Sequence, residues 1–457
     1  MEERPFRAAY AKTRALAPGR CDRICGVNRH KFLFLFTSLL LVLPLSARTT
    51  RKLPSTFKLI SINVTGTKRY TPAEIIAATS LRLGETVSEA DFKRVSQQLG
   101  ETGAFSDVAY TYQYSAQGTK LDLQVADSNQ FIPIRFDNFV WFSDQELVEK
   151  LHRVVPLFQG QLPLAGGLID QVSDALQALL LERKLQGRAD YIRSAHQDGP
   201  IEAFVFKVTG PTIRIRNVAF TGAAPPELPL LQAAARSLPG EEYLRSMLQI
   251  QAEKNLLPIY LARGYLKAAF ADTQAKVAQE SPQETIVDVE FPVDPGRQYK
   301  LTQIQWSGNT VFPAEKLQPL IRLQTAQYAN AVQLGNDLEA VQKLYGTRGY
   351  LAAHIRSNPQ TDDTQSTVGY QLHVHEGDVY HMGELEIQGL DARTTARLVE
   401  GWKLRGGDVY DASYPQQFLN DTNHVISLVP WKISIHNSLN EKDKTVDVTL
   451  RFDPKPQ

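Results

Sequence analysis

One arrangement of residues recurs along this chain, and its period limits the fold more than anything else in the sequence. An aliphatic strand closes on a turn glycine at Ile62–Gly66, Val218–Gly222, Ile304–Gly308 and Leu385–Gly389. Two helical stretches follow. Then comes a glycine with an aromatic, as in Gly103–Phe105, Gly264–Tyr265 and Gly349–Tyr350, and two alternating strands complete the unit. The gap from Gly66 to Gly222 is close to double the others, and a degenerate copy near Phe136–Phe139 fills it. A period of roughly 80 residues, met five times, is longer than a solenoid repeat and long enough for a core of its own. That predicts an array of small domains, not one large catalytic domain.

The first unit shows the local physics. Leu59, Ser61 and Asn63 alternate with Ile60, Ile62 and Val64, which predicts a strand with one buried face. Thr71-Pro72-Ala73-Glu74 supplies an N-cap, a proline at the first helical position and a capping-box acid. Ser88 with Asp91 starts a second helix, whose inward stripe is Phe92, Val95 and Leu99. Gly103 ends it, and Val108–Tyr114 with Leu121–Val125 form a hairpin around Gly118. The later units repeat this order. Ser143–Glu146 is another capping box, Pro258 is expected to kink or shorten its helix, and Phe418, Thr422 and Val425 mark the last helix. The fifth unit has Val429-Pro430-Trp431 in place of the Gly-aromatic pair. The expected boundaries are 57–127, 131–209, 212–294, 297–376 and 379–453, joined by short linkers that favour a semi-rigid array.

The amino terminus follows a different logic. Residues 1–31 carry eight Lys or Arg against three acids, and Phe32–Leu45 is then apolar apart from Thr37, Ser38 and Pro44. This predicts that residues 1–47 are a secretory leader, with 48–56 a linker. The apolar run is shorter than the ~20 residues that span a bilayer comfortably. The alternative is a retained inner-membrane anchor, in which case residues 32–47 are the membrane contact. Leu45 stands where a small residue is preferred at cleavage, and a start near Val27 on a non-standard codon is a further alternative. Both cysteines, Cys21 and Cys25, precede this segment, so the exported part is expected to have no disulfide and no thiolate metal site. Beyond residue 47 there are 42 basic and 46 acidic side chains. Nucleic acid and anionic lipid are therefore not expected partners.

The carrying residues resemble the polypeptide-transport-associated (POTRA) domain. They are Val64-Thr65-Gly66 and Trp306-Ser307-Gly308 at strand ends, Leu99 and Leu344 before the glycine, and Gly103-Ala104-Phe105, Gly264-Tyr265 and Gly349-Tyr350. The resemblance covers roughly residues 57–453, and five such modules are similar to the periplasmic arm of the outer-membrane protein assembly factor family. It implies an α+β fold of five tandem β-α-α-β-β modules in an elongated array, each a three-stranded mixed sheet under two helices. It also implies that the first hairpin strand lies at a sheet edge, where a partner adds a strand. Those edges are Val108–Tyr114, Arg188–Ser194, Ala268–Thr273, Ala352–Arg356 and Lys432–Ile435. The contact candidates on them are Val108, Tyr110, Thr111, Gln113, Ala268, Phe270, Ala352, Ile355, Trp431 and Ile433. The implied partners are unfolded or nascent outer-membrane polypeptides, lipoproteins, or a separate barrel protein. The implied location is the periplasm, in association with the outer membrane. In the family the arm leads into a β-barrel, whereas this sequence stops at Gln457 after the fifth unit, so an arm without its barrel is expected. The alternative function is a structural spacer of an envelope complex held by an uncleaved anchor.

Other residues attract attention and are read plainly. His373-x-His375, near Glu376, Asp378 and His381, is a solvated strand end and not a metal cluster, because no fourth ligand is fixed by spacing. Tyr110, Tyr112 and Tyr114 share one strand face, either as a binding platform or, preferably, as cover for a small core. Trp306 alternates with Ile304 and belongs inside, while Trp431 opens an edge strand and is a contact candidate. Asp362 and Asp363 form a solvated turn. No nucleophile elbow, phosphate loop, zinc-protease helix or dinucleotide fingerprint is present. The sequence therefore predicts neither an enzyme nor a cofactor.

Overall fold

The structure, a computed structural model, describes residues 57–195, 199–426 and 431–454, without the side chains of residues 423–426. The leader, both cysteines, the apolar segment 32–47, the linker 48–56, the side chain of Val425 and the Val429-Pro430 pair lie outside the described residues.

Five mixed sheets hold the described strands, each built from strands close in sequence. The first comprises β1 (Leu59–Thr65), α1 (Pro72–Ala77), α2 (Glu89–Glu101), β2 (Phe105–Ser115) and β3 (Gly118–Asp127), in the order β1-β3-β2. β1 runs parallel to β3, and β2 antiparallel to it. Both capping boxes form: Thr71 with Glu74, and Ser88 with Asp91. Phe92, Val95 and Leu99 are buried, as the helical stripe requires.

The second unit comprises β4 (Phe131–Phe136), α3 (Asp144–Val154), β5 (Gln161–Pro163), α4 (Leu168–Glu182), β6 (Arg188–Ala195) and β7 (Ile201–Thr209). The third has β8 (Thr212–Thr221), α5 (Leu228–Ala234), α6 (Arg245–Gln251), α7 (Leu257–Leu261), β9 (Ala269–Phe270), β10 (Gln274–Glu280) and β11 (Glu284–Asp294). The fourth has β12 (Lys300–Ser307), α8 (Ala314–Leu317), α9 (Ala331–Gly346), β13 (His354–Asp362) and β14 (Thr367–His375). The fifth has β15 (His381–Gln388), α10 (Ala392–Gly401), α11 (Tyr414–Ile426), β16 (Trp431–Asn440) and β17 (Thr445–Pro454).

The expected uniform three-stranded sheet fails in two units. The second sheet has four strands, β5-β4-β7-β6, because the segment between its helices extends along β4 and buries Leu162. In the third, β9 adds a two-residue pairing to β11 beside β10. Pro258 acts as expected. It has no N–H to give, and the ladder before it widens into a π turn at Ala252–Leu256.

The first strands are not plain alternations. In four sheets the first strand slips register once against the last, between Leu59 and Ser61, Ile215 and Asn217, Leu301 and Gln303, and Met382 and Leu385. A bulge moves the following side chains to the other face. Leu59 is therefore buried and Ile60 is exposed, against the simple expectation, while Ile62 packs on the core and Val64 is buried. The same slip turns Ile304 and Trp306 inward after Leu301.

Each residue before the slip is held by the turn between the two helices. The Leu59 N–H donates to Glu85 O at 2.9 Å and its carbonyl accepts from the Gly84 N–H at 2.7 Å. Ile215, Leu301 and Met382 make the same pair of bonds with Glu241 and Gly240, Gln327 and Ala326, and Asp408 and Gly407. The turn residue is left-handed in all four: φ is 88° at Gly84, 92° at Gly240, 67° at Ala326 and 89° at Gly407.

The strand-end glycines have a second reason to be glycine. A Cβ at Gly66, Gly222, Gly308 or Gly389 would lie 2.0–2.3 Å from the carbonyl oxygen of Val125, Val293, Val374 or Phe452 on the unit's last strand. The second unit lacks the glycine and solves the same contact differently. Buried Asn138 donates Nδ2 to Val208 O at 2.9 Å and accepts the Val208 N–H on Oδ1 at 2.7 Å.

Two stability measurements follow. Ala326→Gly should stabilise the fourth unit by about 0.5–1 kcal/mol, the left-handed strain of alanine less the entropy of glycine, read as a higher urea midpoint. Asn138→Ala should cost about 2–4 kcal/mol in the same assay, because it strands two buried backbone groups on Val208.

Candidate functional site: the open sheet edges

The last strand of every unit lies inside its sheet, and its hairpin partner lies at one end. The terminal hairpin strands are β2, β6, β10, β13 and β16. On β2, Val108 and Tyr110 face the helices and pack on the core, while Thr111 and Gln113 are exposed on the other face. Tyr112 lies 5.2 Å from Phe92 and donates its hydroxyl to Glu89 at 2.8 Å, so this face of β2 covers α2. Desolvation and the Glu89 carboxylate both bear on the Tyr112 phenol, and the Glu89 hydrogen bond does most to raise its pKa.

Two segments are displaced from their expected places. Ala268 is buried in a turn, Ala269–Phe270 is the short β9, and the terminal strand is β10, starting at Gln274. The alanine-rich run Ala268–Ala271 has little β-branched bulk to extend a strand. Ala352 is likewise an exposed turn residue, and β13 begins at His354, with Ile355 half-buried on it. Trp431 opens β16 opposite Pro454 and meets Phe452 edge-on at 6.3 Å, and Ile433 is exposed.

The edges differ in how open they are. On β2, the Val108 carbonyl is taken by Ser96 Oγ of α2 at 2.8 Å. On β6, the Gln177 amide of α4 clamps Gly187 O and Ala189 N–H, both at 2.9 Å. β10 borders a groove of about 660 Å³ whose far wall includes Trp141, Phe142 and Arg183 of the second unit, and Arg183 pairs with Glu280 at 3.0 Å. β13 carries Pro359, which has no N–H to offer a new strand.

The glycine-aromatic pair proves to be a joint as well as the opening of a strand. Gly264 and Gly349 are left-handed, and their carbonyls accept the N–H of Tyr299 and Tyr380, the first core residues of the following units, at 2.8 Å in each case. Tyr265 packs on its own unit's core and Leu266 on the next one, as Tyr350 and Leu351 do one unit later. Gly103 makes the corresponding close approach to Ala165 and Gly166. Sequence reading missed these contacts because their partners lie in another unit. The third-to-fourth joint adds Lys267, which reaches Asp363 at 2.6 and 2.8 Å, and the Tyr299 hydroxyl, which reaches it at 2.7 Å. Lys267 first, and Tyr299 second, hold the Asp363 carboxyl below the usual range.

The residues of the histidine stretch go to different partners. His373 Nδ1 meets Ser307 Oγ at 3.0 Å, and His375 lies across from His354 with ring centroids 4.8 Å apart. Glu376 points elsewhere, into the turn after Gly308. There it accepts from the Thr310 hydroxyl, the Val311 N–H at 2.7 Å and the Tyr345 hydroxyl at 3.0 Å. Among the described residues no group of three or more His, Cys, Asp or Glu is arranged to hold a metal.

Burial opposes ionisation of Glu376, but these hydrogen bonds outweigh it and lower its pKa from the ordinary 4.5. A lowered folded-state pKa stabilises above the ordinary value and loses that stabilisation as pH falls through the folded value. The fourth unit's urea midpoint should therefore drop below pH ~4.5, and Glu376→Gln should lower the midpoint at pH 7 while flattening that acid limb.

The POTRA family, described as a surface antigen variable number repeat, matches residues 299–377. The outer membrane protein assembly factor BamA of Neisseria meningitidis is 25% identical over 332 residues, covering 68% of this chain and 40% of that protein. BamA of Nitratidesulfovibrio vulgaris is 20% identical over 424 residues, covering 87% of this chain and 50% of that protein. The chain thus spans half or less of the length of these relatives. Among solved structures, POTRA domains 3–5 of Haemophilus influenzae BamA align at a TM-score of 0.43 and 19% identity, over 54% of this chain and 98% of that one.

Proposed function

We propose that this POTRA-domain protein, which resembles the periplasmic arm of the outer-membrane protein assembly factors, is a scaffold for outer-membrane protein assembly or polypeptide transport. Its five sheet units act as five tandem modules over residues 57–127, 131–209, 212–294, 297–376 and 379–453. They hold unfolded or nascent outer-membrane polypeptides, or lipoprotein or barrel partners, by strand addition. The observation that carries this reading is the recurrence of a terminal hairpin strand in all five sheets. An unpaired row of N–H and C=O groups gives affinity for extended chains with little demand on their sequence. The basic-then-apolar leader supports a periplasmic location, and the name of the Neisseria meningitidis relative, an outer membrane protein assembly factor, supports association with the outer membrane.

The test uses a urea-unfolded outer-membrane β-barrel polypeptide diluted into the full chain. Photo-cross-linkers at Thr111 and Gln113 should capture it, and cross-linkers on the exposed helix positions Lys93 and Gln97 should not. Capture from the helix positions alone would sink strand addition as the mode. Mass of the mature amino terminus checks the location: a start at Arg48 supports release, and an intact leader supports the anchored spacer.

A further inference from the structure

Of the five terminal hairpin strands, β16 differs from the rest in ways that bear directly on strand addition. Its ten residues pair with β17 in unbroken register, from Trp431↔Pro454 to Asn440↔Thr445. β2 and β10 each bulge at a register slip, β6 loses register with β7 at its last residue, Ala195, and β13 contains Pro359. A slip twists an edge away and a proline deletes a donor; both protect edges from pairing. Helix side chains also occupy backbone groups of β2 and β6.

The side chains of β16 favour the same conclusion. The register places Ile433, Ile435, Asn437 and Leu439 opposite Phe452, Leu450, Val448 and Val446, on the core-facing side of the sheet, so this row is apolar apart from the exposed Asn437. Yet Ile433 is 36% and Leu439 47% exposed, so the core-facing row is left partly uncovered at its open margin. Lys432, Ser434 and His436 on the other face are exposed and polar. A strand laid beside β16 would put alternate residues against this mostly apolar row and the intervening ones in water.

We infer that β16 is the preferred docking edge of this chain, and that its occupant is an extended polypeptide segment of alternating apolar and polar residues. The inference rests on the scaffold reading and sharpens it by naming the edge and the pattern of the partner.

The experiment places a photo-cross-linking residue in the full chain at Ser434, and separately at Thr111, Arg193, Lys276 and Ser357 on the other edges. The probe is a fluorescent decapeptide of alternating valine and threonine flanked by glutamates. The adduct yield at Ser434 should exceed each of the others by about fivefold or more. Ile433→Glu with Leu439→Glu should cut the Ser434 yield about tenfold and leave the other four yields unchanged. Circular dichroism and melting check that this variant folds; if it does not, the five-edge comparison in the parent chain decides alone. Equal yields at all edges, a maximum at another edge, or indifference to the double substitution in a folded variant overturns the preference for β16 while the scaffold reading stands. No adduct at any edge, with no capture of the unfolded barrel polypeptide either, overturns both.

Discussion

Parallel pairing of the first and last strands governs every unit. Because β1, β8, β12 and β15 lie alongside β3, β11, β14 and β17 in parallel, a crossover is needed, and the two helices supply it. The last strand is then bonded on one side, so its hairpin partner can only go to the other. The open edge follows from connectivity and needs no special sequence. The strand-end glycines belong to the same constraint, since they let the turn press against the last strand's carbonyl.

Joints between units are built at the opposite end of the helical crossover. Gly264 and Gly349 close one unit and bond the next, and the residues after them divide between two cores. The first three units go further and share one continuous apolar cluster from Leu59 to Val293. Trp141 donates to Thr285 at 3.2 Å inside it, and Asp137 accepts from the N–H and hydroxyl of Ser246 at 2.7 and 3.0 Å. The fourth and fifth units keep clusters of their own.

Much of this was legible in the sequence where the cause is local. Thr71, Ser88, Gly66 and the Phe92-Val95-Leu99 stripe act through neighbours within a turn or two, and each behaves as its type and spacing predict. The bulges were not legible, because a one-residue slip leaves Leu59–Val64 looking like a regular alternation. The left-handed turn at Gly84, Gly240 and Gly407 was hidden by Ala326, which breaks the pattern while keeping the geometry. The terminal strand of the third unit was misplaced because the Ala268–Ala271 run sits where the other units start their hairpins. The unequal openness of the edges depends on Ser96 and Gln177, which reach across from a helix to the hairpin, and on Arg183, whose partner Glu280 lies in another unit.

The shared cluster of the first three units has a consequence for how such arrays are recombined. Repeats are often treated as interchangeable cassettes, cut at the linkers. Here a cut at Ser128–Gln130 or Gly210–Pro211 would divide a common interior and leave Trp141 or Phe131 facing water. Cuts near Asp294–Gly296 or Glu376–Asp378 cross between separate interiors, but they still orphan Tyr299 or Tyr380 from the glycine that receives its N–H. The heritable cassette of this chain is therefore the trio at its amino-terminal side, followed by two singles that each travel with the Gly-Tyr-Leu of the unit before.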